Sequence, residues 1–538
     1  MFYKVYMILD ASPKSLLNWS NREHPKLARA RLFDCNSIRV KMRKEMQMFG
    51  ELKITAGSPA HLQIGANIRE LIENGSLRAG VRLPSTRELA RMLKVSRNTV
   101  MLAYEELQNE EWIRSIPGQG AYVNGRPAPE EARPALHWEP LLNDYGKMAL
   151  DLVQTTRKYP WRPGMISFHS LAPDESIFDV EDVKRAFLNR ISLEGEKLLN
   201  YGEGKGYRPL IGWLKEYLAA KGVDFRGKDL LITSGFTEGF TLVVAALTNR
   251  GDRIVCENPT HFLALNAMKL AGLQIAGIEM GADGIDPAAL ERTVAAGGIK
   301  LGFIMPSYHN PTGLVMPPDR RFKVLEIFEK YRVPLVEEGF NEELRYSGSH
   351  TSPLIGLAGT GNHVICLGSF AKILFPAIRI GWVIGDAQLI ACLESIKLHR
   401  NLHTSLLDQA VLYDYLREGH LSQYLKKAKR LYKGKFELAM RLAGIHIPCR
   451  RIRGEGGLHL FIELDGISAR ELLDYCYERG VLFTPGDIFY CNGLGEDALR
   501  ISISRVGPDE MEQGFQIIGA GIRELKREPA PTINHKYG

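Results

Sequence analysis

Cysteine is scarce in this chain, and the spacing of its cysteines argues against a disulfide-bonded secreted protein. The 538 residues hold seven cysteines, with no paired spacing and no Cys-x-x-Cys motif. Disulfide frameworks of small secreted domains show such spacing. We therefore expect reduced thiols in a cytoplasmic protein, and no metal site is indicated.

Long apolar runs are missing as well. No run approaches the roughly 20 residues that a membrane-spanning helix needs, and the first residues lack a continuous apolar core behind a basic flank. We therefore expect neither a signal peptide nor a membrane anchor. The length exceeds the usual limit for one hydrophobic core, so a multi-domain protein is expected.

An excess of one charge is absent from most of the chain. Most of the net charge of +7 lies in residues 1–47, which hold ten Lys or Arg against four Asp or Glu. Bulk charge therefore says little about partners. Residues 1–50 also lack a sustained apolar period. We interpret them as an unstructured extension, or as residues that precede the true start, with Met48 as one candidate.

Residues 55–126 have the most regular pattern in the chain. Ser85 and Glu88 form a capping box, which predicts the start of a helix. Two strand-like segments, Trp112–Ser115 and Ala121–Val123, flank a turn. Apolar residues with helical spacing lie on both sides of the capping box: Ile64, Ile68, Leu71 and Ile72 before it, and Val100, Ala103, Tyr104 and Leu107 after it. Three helices followed by a hairpin is the order of a winged helix-turn-helix domain, of the α+β class.

Basic residues are concentrated in this segment. The stretch from Arg78 to Arg97 holds six basic residues and one acid. In a helix-turn-helix the amino end of the second helix enters the major groove, where Arg suits guanine and Asn suits adenine. A charged face that is merely solvated, or a protein contact, is the alternative. The residues predicted to contact double-stranded DNA are Arg97, Asn98, Thr99 and Met101 for bases, Arg87 and Ser96 for phosphates, and Gly118 at the wing tip.

The remainder of the chain has a different organisation. Residues 127–163 are rich in Pro, Ala and charge near their start, which is typical of a linker. From 164 to 530, strand-like apolar runs alternate with helical stretches, which predicts an α/β domain with a mostly parallel sheet covered on both faces. We expect the large part at about 165–400 and a smaller lobe at about 401–530.

One lysine in this region has a setting that suits pyridoxal phosphate. Within residues 368–382, Ser369 and Lys372 are followed by Arg379. Lys372 can form a Schiff base with the pyridoxal aldehyde, while Arg379 clamps the phosphate and Ser369 donates a hydroxyl. A lone lysine would otherwise be interpreted as a solvated surface group.

Two further motifs favour the cofactor over the surface lysine. Asn310 follows a buried strand and can donate to the phenolic oxygen of the cofactor. An ordinary turn is the alternative at each motif. Each motif lies at the carboxyl end of a predicted strand, where α/β sheets bind ligands. The residues that open a helix suited to a phosphate dianion are Gly235, Phe236 and Thr237.

With these motifs, the chain resembles fold type I aminotransferases over about residues 165–525. The string LPSTRELARMLKVSRNTVMLAYEELQNEEWI resembles the GntR signature, so the whole is similar to MocR/GabR-type regulators. The resemblance implies that Lys372 carries pyridoxal 5'-phosphate and that Arg500 binds a substrate carboxylate. It also implies that Tyr201 reaches the phosphate of a partner subunit in a homodimer. A surface salt bridge is the alternative for Arg500, and a packed core tyrosine for Tyr201.

Three positions depart from the family pattern. Glu338 stands where the family usually has the aspartate that pairs with the pyridine nitrogen, and Phe340 stands where it has a tyrosine. His261 takes the place of the aromatic residue that stacks on the cofactor ring. Glu338 keeps a carboxylate, so the electron sink stays feasible, whereas Phe340 cannot hydrogen-bond. We expect cofactor binding to survive, with any transamination weakened.

Two functions remain open from the sequence. The first is a DNA-binding transcriptional regulator that binds an operator and whose cofactor domain senses an amine or amino acid. The second is an active pyridoxal phosphate-dependent aminotransferase of an α-amino acid with an appended winged-helix domain. Lys372 would then move the proton between substrate carbon and cofactor.

Overall fold

A computed structural model describes residues 49, 54, 58–124, 136–153, 158–339, 342–346 and 349–527. Apart from Phe49, the predicted extension of residues 1–50 lies outside the described residues. Phe340 lies outside them too, as do residues 125–135 and 154–157 of the predicted linker. The chain divides into two compact units, with the border between Trp138 and Glu139.

The first unit has the predicted winged helix-turn-helix fold. Helix α2 begins at the predicted capping box, in which Ser85 Oγ accepts from the Glu88 N–H at 3.3 Å and the Glu88 carboxylate accepts from the Ser85 N–H at 2.8 Å. The strands pair antiparallel, with Ile113 opposite Val123. The described elements are α1 (Ala60–Glu73), α2 (Thr86–Leu93), α3 (Arg97–Asn109), β1 (Ile113–Ile116) and β2 (Gly120–Val123).

The helical apolar stripes form the core of this unit. All four positions predicted for α3 are buried, and so are Ile64 and Ile68 of α1, whereas Leu71 and Ile72 are half-buried. Tyr104 also donates its hydroxyl to the Pro84 carbonyl at 2.8 Å. This bond ties α3 to the loop before α2 and so holds α3 in position against that loop.

The second unit contains the larger share of the elements. Its described helices are α4 (Asp144–Leu152), α5 (Val180–Leu198), α6 (Arg208–Ala219), α7 (Phe236–Leu247), α8 (Phe262–Leu270), α9 (Pro287–Ala295), α10 (Pro318–Lys330), α11 (Leu354–Leu357), α12 (Ala387–Asn401), α13 (Leu406–Arg417), α14 (His420–His446), α15 (Ala469–Glu478) and α16 (Pro508–Arg527). Its described strands are β3 (Ile166–Ser167), β4 (Lys228–Thr233), β5 (Arg253–Asn258), β6 (Gln274–Gly281), β7 (Gly284–Ile285), β8 (Ile299–Ile304), β9 (Leu335–Glu338), β10 (Val364–Ser369), β11 (Gly381–Asp386), β12 (Arg451–Arg453), β13 (His459–Glu463), β14 (Val481–Leu482), β15 (Thr484–Pro485) and β16 (Ala498–Ser502).

The large sheet is mostly parallel, as predicted. Its strand order is β4-β11-β10-β9-β8-β5-β6-β7, and within it β7 and β11 run against the others. Because β11 is reversed, its first residue, Gly381, pairs with Thr233 at the end of β4 and with Ser369 at the end of β10. The start of β11 therefore lies at the same edge as the carboxyl ends of its neighbours.

Both faces of this sheet are buried. Alternate strand residues enter different apolar clusters, as Leu230 and Ile232 do on one face and Leu231 on the other. Side chains alternate between faces along a strand, so helices must cover both. The predicted α/β layer architecture is confirmed.

A smaller core surrounds the antiparallel sheet β12-β13-β16-β15. It contains Leu460, Ile501 and Phe515 from the last part of the chain, together with Tyr159 and Phe168 from its middle. Strand β3 pairs with β14 in parallel, so the chain enters this lobe before it forms the large sheet. Within the predicted linker, Asn143 caps helix α4. Across the ranges that the structure describes, every helix is too short or too polar to cross a bilayer.

Candidate cofactor and DNA-binding sites

The predicted cofactor residues meet at one edge of the large sheet. Those named below lie at the carboxyl end of a strand or just after it, and these ends share an edge because the strands are parallel. The pairs are β4 with Gly235, β5 with His261, β8 with Asn310, β9 with Glu338, and β10 with Ser369 and Lys372. Sequence segments more than 130 residues apart are thereby brought together.

Lys372 lies in the turn after β10 and is half-buried. The pKa of its amine is lowered to about 8, mainly by burial and then by the charge of Arg500, while the Glu338 carboxylate acts in the opposite direction. Among the described residues, no hydrogen bond from this amine is found. A substantial neutral fraction near neutral pH makes Lys372 a nucleophile.

Arg379 lies beside the start of α7, where the phosphate site is predicted. Arg379 has a left-handed backbone conformation, and its Nη2 donates to the Ser234 carbonyl at 2.9 Å. Gly235 is the N-cap of α7 at φ 94°, and a Cβ there would lie 2.8 Å from Arg379 Nη2. Glycine therefore leaves the room that the guanidinium needs. The first N–H groups of α7, at Phe236 and Thr237, lack intrahelical acceptors and suit a phosphate.

Ser369 lies beside this predicted phosphate site with its hydroxyl already engaged. Its Oγ accepts from the Ala371 N–H at 3.1 Å and donates to the Ile380 carbonyl at 3.4 Å. The second contact is long for a hydrogen bond between oxygens. The hydroxyl can turn toward a phosphate at little cost.

Arg500 is buried, with 2% of its surface exposed. Its Nη1 donates to Asn310 Oδ1 at 2.9 Å, and its Nη2 donates to the His169 carbonyl at 3.0 Å and to Thr484 Oγ1 at 3.3 Å. Its buried Nε has no partner, and burial lowers the guanidinium pKa to about 9. No ion pair to Arg500 occurs within the described part of the chain. The alternative of a surface salt bridge is therefore wrong.

Asn310 is oriented by this contact. Its Oδ1 accepts from Arg500, which leaves the amide NH₂ with no acceptor among the residues described. The NH₂ is thus available to donate, which is the function predicted for it.

His261 and Glu338 are in direct contact. Both are buried, and Nδ1 of His261 lies 3.0 Å from Oε2 of Glu338. The imidazole also packs against Phe236, with ring centroids 5.1 Å apart at 36°. The carboxylate predicted to face the pyridine nitrogen therefore already has one partner.

Tyr201 lies apart from these residues. Its side chain is 80% exposed, and its ring meets the edge of His403 at a centroid distance of 6.0 Å. The alternative of a packed core tyrosine is wrong, and an exposed ring remains free to reach another subunit.

Several supporting residues have no signal in the sequence. His169 and Thr484 hold Arg500, and they also bond to each other, from Nδ1 to Oγ1 at 3.0 Å. Arg321 is fully buried and donates to the Pro306 carbonyl at 2.8 Å, which braces the loop that carries Asn310. These contacts join segments far apart along the chain. A lone His in a loop, Thr in a short strand or Arg in a helix gives no indication of them.

Most residues predicted to contact DNA lie on an exposed surface of the first unit. Arg87, Arg97, Asn98 and Met101 are exposed, and Arg97 Nε donates to Thr86 Oγ1 at 3.5 Å. Gly118 lies in the wing turn at φ 74°, a conformation that favours glycine.

Two hydroxyls predicted to contact DNA have a structural function as well. Ser96 is the N-cap of α3: its Oγ accepts from the Thr99 N–H at 3.1 Å and lies 2.8 Å from the Thr99 hydroxyl. Ser96 and Thr99 therefore fix the first turn of α3, the turn that carries Arg97 and Asn98.

Comparison with known proteins gives two family matches. Residues 170–518 match the family Aminotransferase class I and II, and residues 60–123 match Bacterial regulatory proteins, gntR family. The chain is 28% identical over 482 residues to the uncharacterized HTH-type transcriptional regulator YdfD of Bacillus subtilis, covering 89% of this chain and 99% of that protein. It is 27% identical over 486 residues to the probable rhizopine catabolism regulatory protein MocR of Rhizobium meliloti, covering 89% and 97%.

A solved structure is similar to the second unit. LysN, an alpha-aminoadipate aminotransferase from Thermus thermophilus complexed with N-(5'-phosphopyridoxyl)-L-leucine, aligns with a TM-score of 0.67 at 27% identity. The alignment covers 73% of this chain and 100% of that one. The two regulators are matched over 89% of this chain, whereas the aminotransferase is matched over 73% of it.

Proposed function

Because this chain belongs to the aminotransferase class I and II family and carries a gntR-type DNA-binding domain, we propose that it is a transcriptional regulator that senses an amine or amino acid through pyridoxal 5'-phosphate on Lys372. Members of the aminotransferase family use this cofactor. The observation that carries the proposal is the Lys372 amine, with its pKa lowered to about 8, at a sheet edge lined by Arg379 and Arg500.

The residues at this edge fit the cofactor. Lys372 offers an amine without a hydrogen-bond partner among the described residues, and Gly235 leaves space for Arg379 beside the start of α7. When bound, pyridoxal phosphate supplies an aldehyde that condenses with primary amines and a pyridine ring that withdraws electrons. Arg379 and the α7 amides would hold the phosphate, and Glu338 would accept from the ring nitrogen.

Arg500 would recognise the ligand. A guanidinium presents a planar pair of donors that matches a carboxylate, and Arg500 is buried with its Nε unpaired. A carboxylate would satisfy that group and neutralise its charge. The expected ligand is therefore an amine that also carries a carboxylate.

Lys372 would provide the signal. Displacement by an amine ligand would release the Lys372 amine, whose pKa in the ligand-free chain is about 8, so that a proton would be favoured on it at neutral pH. The new ammonium would be attracted by Glu338, while the ligand carboxylate would offset the repulsion from Arg500. A change in charge at this edge favours one arrangement of the chain over another only through such differential interactions.

The test combines purified protein, a panel of amino acids and DNA from the promoter region of the gene that encodes this chain. We expect one amino acid to change the absorbance of the bound cofactor in a single step without an oxo acid acceptor, and to alter the mobility of the DNA. Lys372→Ala should abolish both responses. An identical DNA response to the amino acid in Lys372→Ala would contradict sensing through Lys372.

We also propose a homodimer in which Tyr201 serves the partner's site. Its 80% exposed ring favours this arrangement over a function within its own subunit. Mixing Lys372→Ala with Tyr201→Ala protomers tests it. One intact site per mixed dimer is expected, whereas a Tyr201 that serves its own subunit would leave none.

Aminotransferase activity is the second candidate. It is favoured by the Lys372 pKa of about 8, because a general base works best when its pKa lies near the operating pH. Repeated conversion of the cofactor to its amino form and back, on addition of an oxo acid, would support turnover. A single spectral change would argue against it.

A further inference from the structure

We propose that His261 is a positioning residue that holds Glu338 against the ring nitrogen of the cofactor, so that these two of the three departures from the family pattern act as one unit. This proposal rests on the function proposed above, since it requires the cofactor at Lys372. A longer carboxylate and an imidazole in place of the usual aspartate and aromatic ring would then compensate for each other.

The contact itself is specific. Nδ1 of His261 and Oε2 of Glu338 lie 3.0 Å apart, within hydrogen-bond distance, and both side chains are buried. An ionised carboxylate can only accept, so Nδ1 donates whenever Glu338 is charged. In the part of the chain that the structure describes, Oε1 of Glu338 has no hydrogen bond. That oxygen is left to accept from a pyridinium.

The side chain of His261 contacts Glu338 and does not cap its own helix. It occupies the N-cap position of α8, yet its side chain forms no hydrogen bond to that helix. Residues at N-caps usually satisfy the first amides of the helix. The imidazole is instead directed across to β9, where it packs beside Phe236.

The neighbouring residue, Glu337, shows that the contact between His261 and Glu338 depends on which face of β9 the carboxylate lies on. Glu337 points to the opposite face of the sheet, where it accepts from the N–H groups of Leu354 at 2.7 Å and Ile355 at 3.0 Å. Two adjacent glutamates on β9 thus have separate partners. Of the two, only Glu338 faces the cofactor edge, which is the edge of the large sheet where Lys372, Asn310 and His261 lie.

Changing one member alone should damage the site. A phenylalanine at 261 removes the donor to Glu338, and an aspartate at 338 draws the carboxylate back by about one C–C bond, roughly 1.5 Å. Either change leaves a buried polar group without its partner, and the loss is larger when that group is charged. Changing both members restores the aspartate and the aromatic ring that are usual in the family, and that pair does not depend on a hydrogen bond from position 261.

The experiment is a double-mutant cycle on the full-length chain with His261→Tyr, Glu338→Asp and the double variant. The ligand is 4'-deoxypyridoxine 5'-phosphate, which has the ring and phosphate but lacks the aldehyde, so binding does not depend on Lys372. Each single variant should bind it roughly tenfold to a hundredfold more weakly. The double variant should recover to within about threefold of the wild type.

A second measurement separates positioning from space filling. The ¹⁵N chemical shift of pyridoxal phosphate labelled at the ring nitrogen reports whether that nitrogen is protonated. His261→Phe keeps a ring at the position, yet we expect its shift to move toward neutral pyridine. Glu337→Gln is the matched control: it should lower thermal stability through α11 and leave the ¹⁵N shift unchanged.

The outcomes distinguish this proposal from the proposed function. Single effects that add to within about twofold, or an unchanged ¹⁵N shift in His261→Phe, would overturn the positioning role alone. A wild-type chain that binds neither compound would overturn the proposed function and the positioning role together. Borohydride labelling of Lys372 in the wild type tells these cases apart.

Discussion

At the scale of single residues, the cofactor edge carries positive charge without matching carboxylates. Within the described residues, neither Arg379 nor Arg500 forms an ion pair, and Glu338 is engaged by His261. Burial of unpaired cations is unfavourable, as the lowered pKa values of Lys372 and Arg500 indicate, whereas Arg379 is exposed. An anionic ligand is the natural counterpart: a phosphate beside Arg379 and a carboxylate beside Arg500.

The pKa of Lys372 leads to a pH prediction. The rate at which the cofactor-free chain takes up pyridoxal phosphate should rise about tenfold per pH unit below pH 8 and level off above it, because only the neutral amine reacts. Arg500→Gln should move the inflection to higher pH, since the Arg500 charge contributes to lowering this pKa. Stopped-flow absorbance measures the rate.

The control is Arg292→Gln on α9, where the arginine is exposed. It should leave the inflection where it is. An inflection near 10.4, the value for a free lysine, would show that Lys372 is not held in the buried setting described above.

At the scale of elements, the parts that could be predicted are those with a local period. The sequence has strand-like runs at residues 253–257 and 364–367, and strands β5 and β10 extend only one or two residues beyond them. Buried parallel strands read as short apolar runs, and the capping box marks the start of α2. The position of the site at one edge of the large sheet could also be predicted, because parallel strands have their carboxyl ends at the same edge.

The parts that could not be predicted depend on contacts between distant segments. The contact of His261 with Glu338 spans 77 residues, and that of Arg500 with the His169 carbonyl spans 331. Tyr159 and Phe168 join the small core although they precede the large sheet. No periodic pattern in the sequence indicates which distant segment a side chain contacts after folding. The sequence therefore shows that His261 and Glu338 depart from the family pattern, but it does not show that they contact each other.

The capping box makes α2 testable as an element. Ser85→Ala removes the acceptor for the Glu88 N–H and should destabilise the helix by about 1 kcal/mol. Hydrogen exchange of the 78–97 peptide, followed by mass spectrometry, should speed up by roughly fivefold. Ser76→Ala, at an exposed serine, is the control and should leave exchange unchanged. Equal exchange rates in both variants would contradict the stabilising role of the capping box.

The recognition helix α3 is expected to separate sequence reading from phosphate binding. Arg97→Ala should weaken operator binding by about 1–3 kcal/mol and relax the preference at one base position. Arg87→Ala, on α2, should weaken binding to operator and random duplex alike and reduce the slope of log affinity against log salt by about 1. Anisotropy titrations at several salt concentrations, with an operator obtained by in vitro selection, measure both effects. Equal losses of specificity in the two variants would contradict the assignment.

At the scale of the whole molecule, a DNA-binding unit and a cofactor unit lie on one chain, and regulation requires that their ligands be coupled. Coupling is a free energy shared by two sites, so it must be reciprocal. An amine that weakens operator binding by some factor must itself bind more weakly, by the same factor, when the operator is present. Two units that are merely joined would have a factor of one.

This reciprocity gives the strictest test of the regulatory function. For the amino acid that changes the cofactor spectrum, we expect a coupling factor between about 5 and 150, the usual range for allosteric proteins. Operator affinity measured with and without the amino acid should give the same factor as amino-acid affinity measured with and without operator. Lys372→Ala should reduce the factor to one while its operator affinity stays intact, because the recognition helix is untouched. A factor of one in the wild type, despite normal binding of both ligands, would leave the aminotransferase as the better account of the Lys372 site.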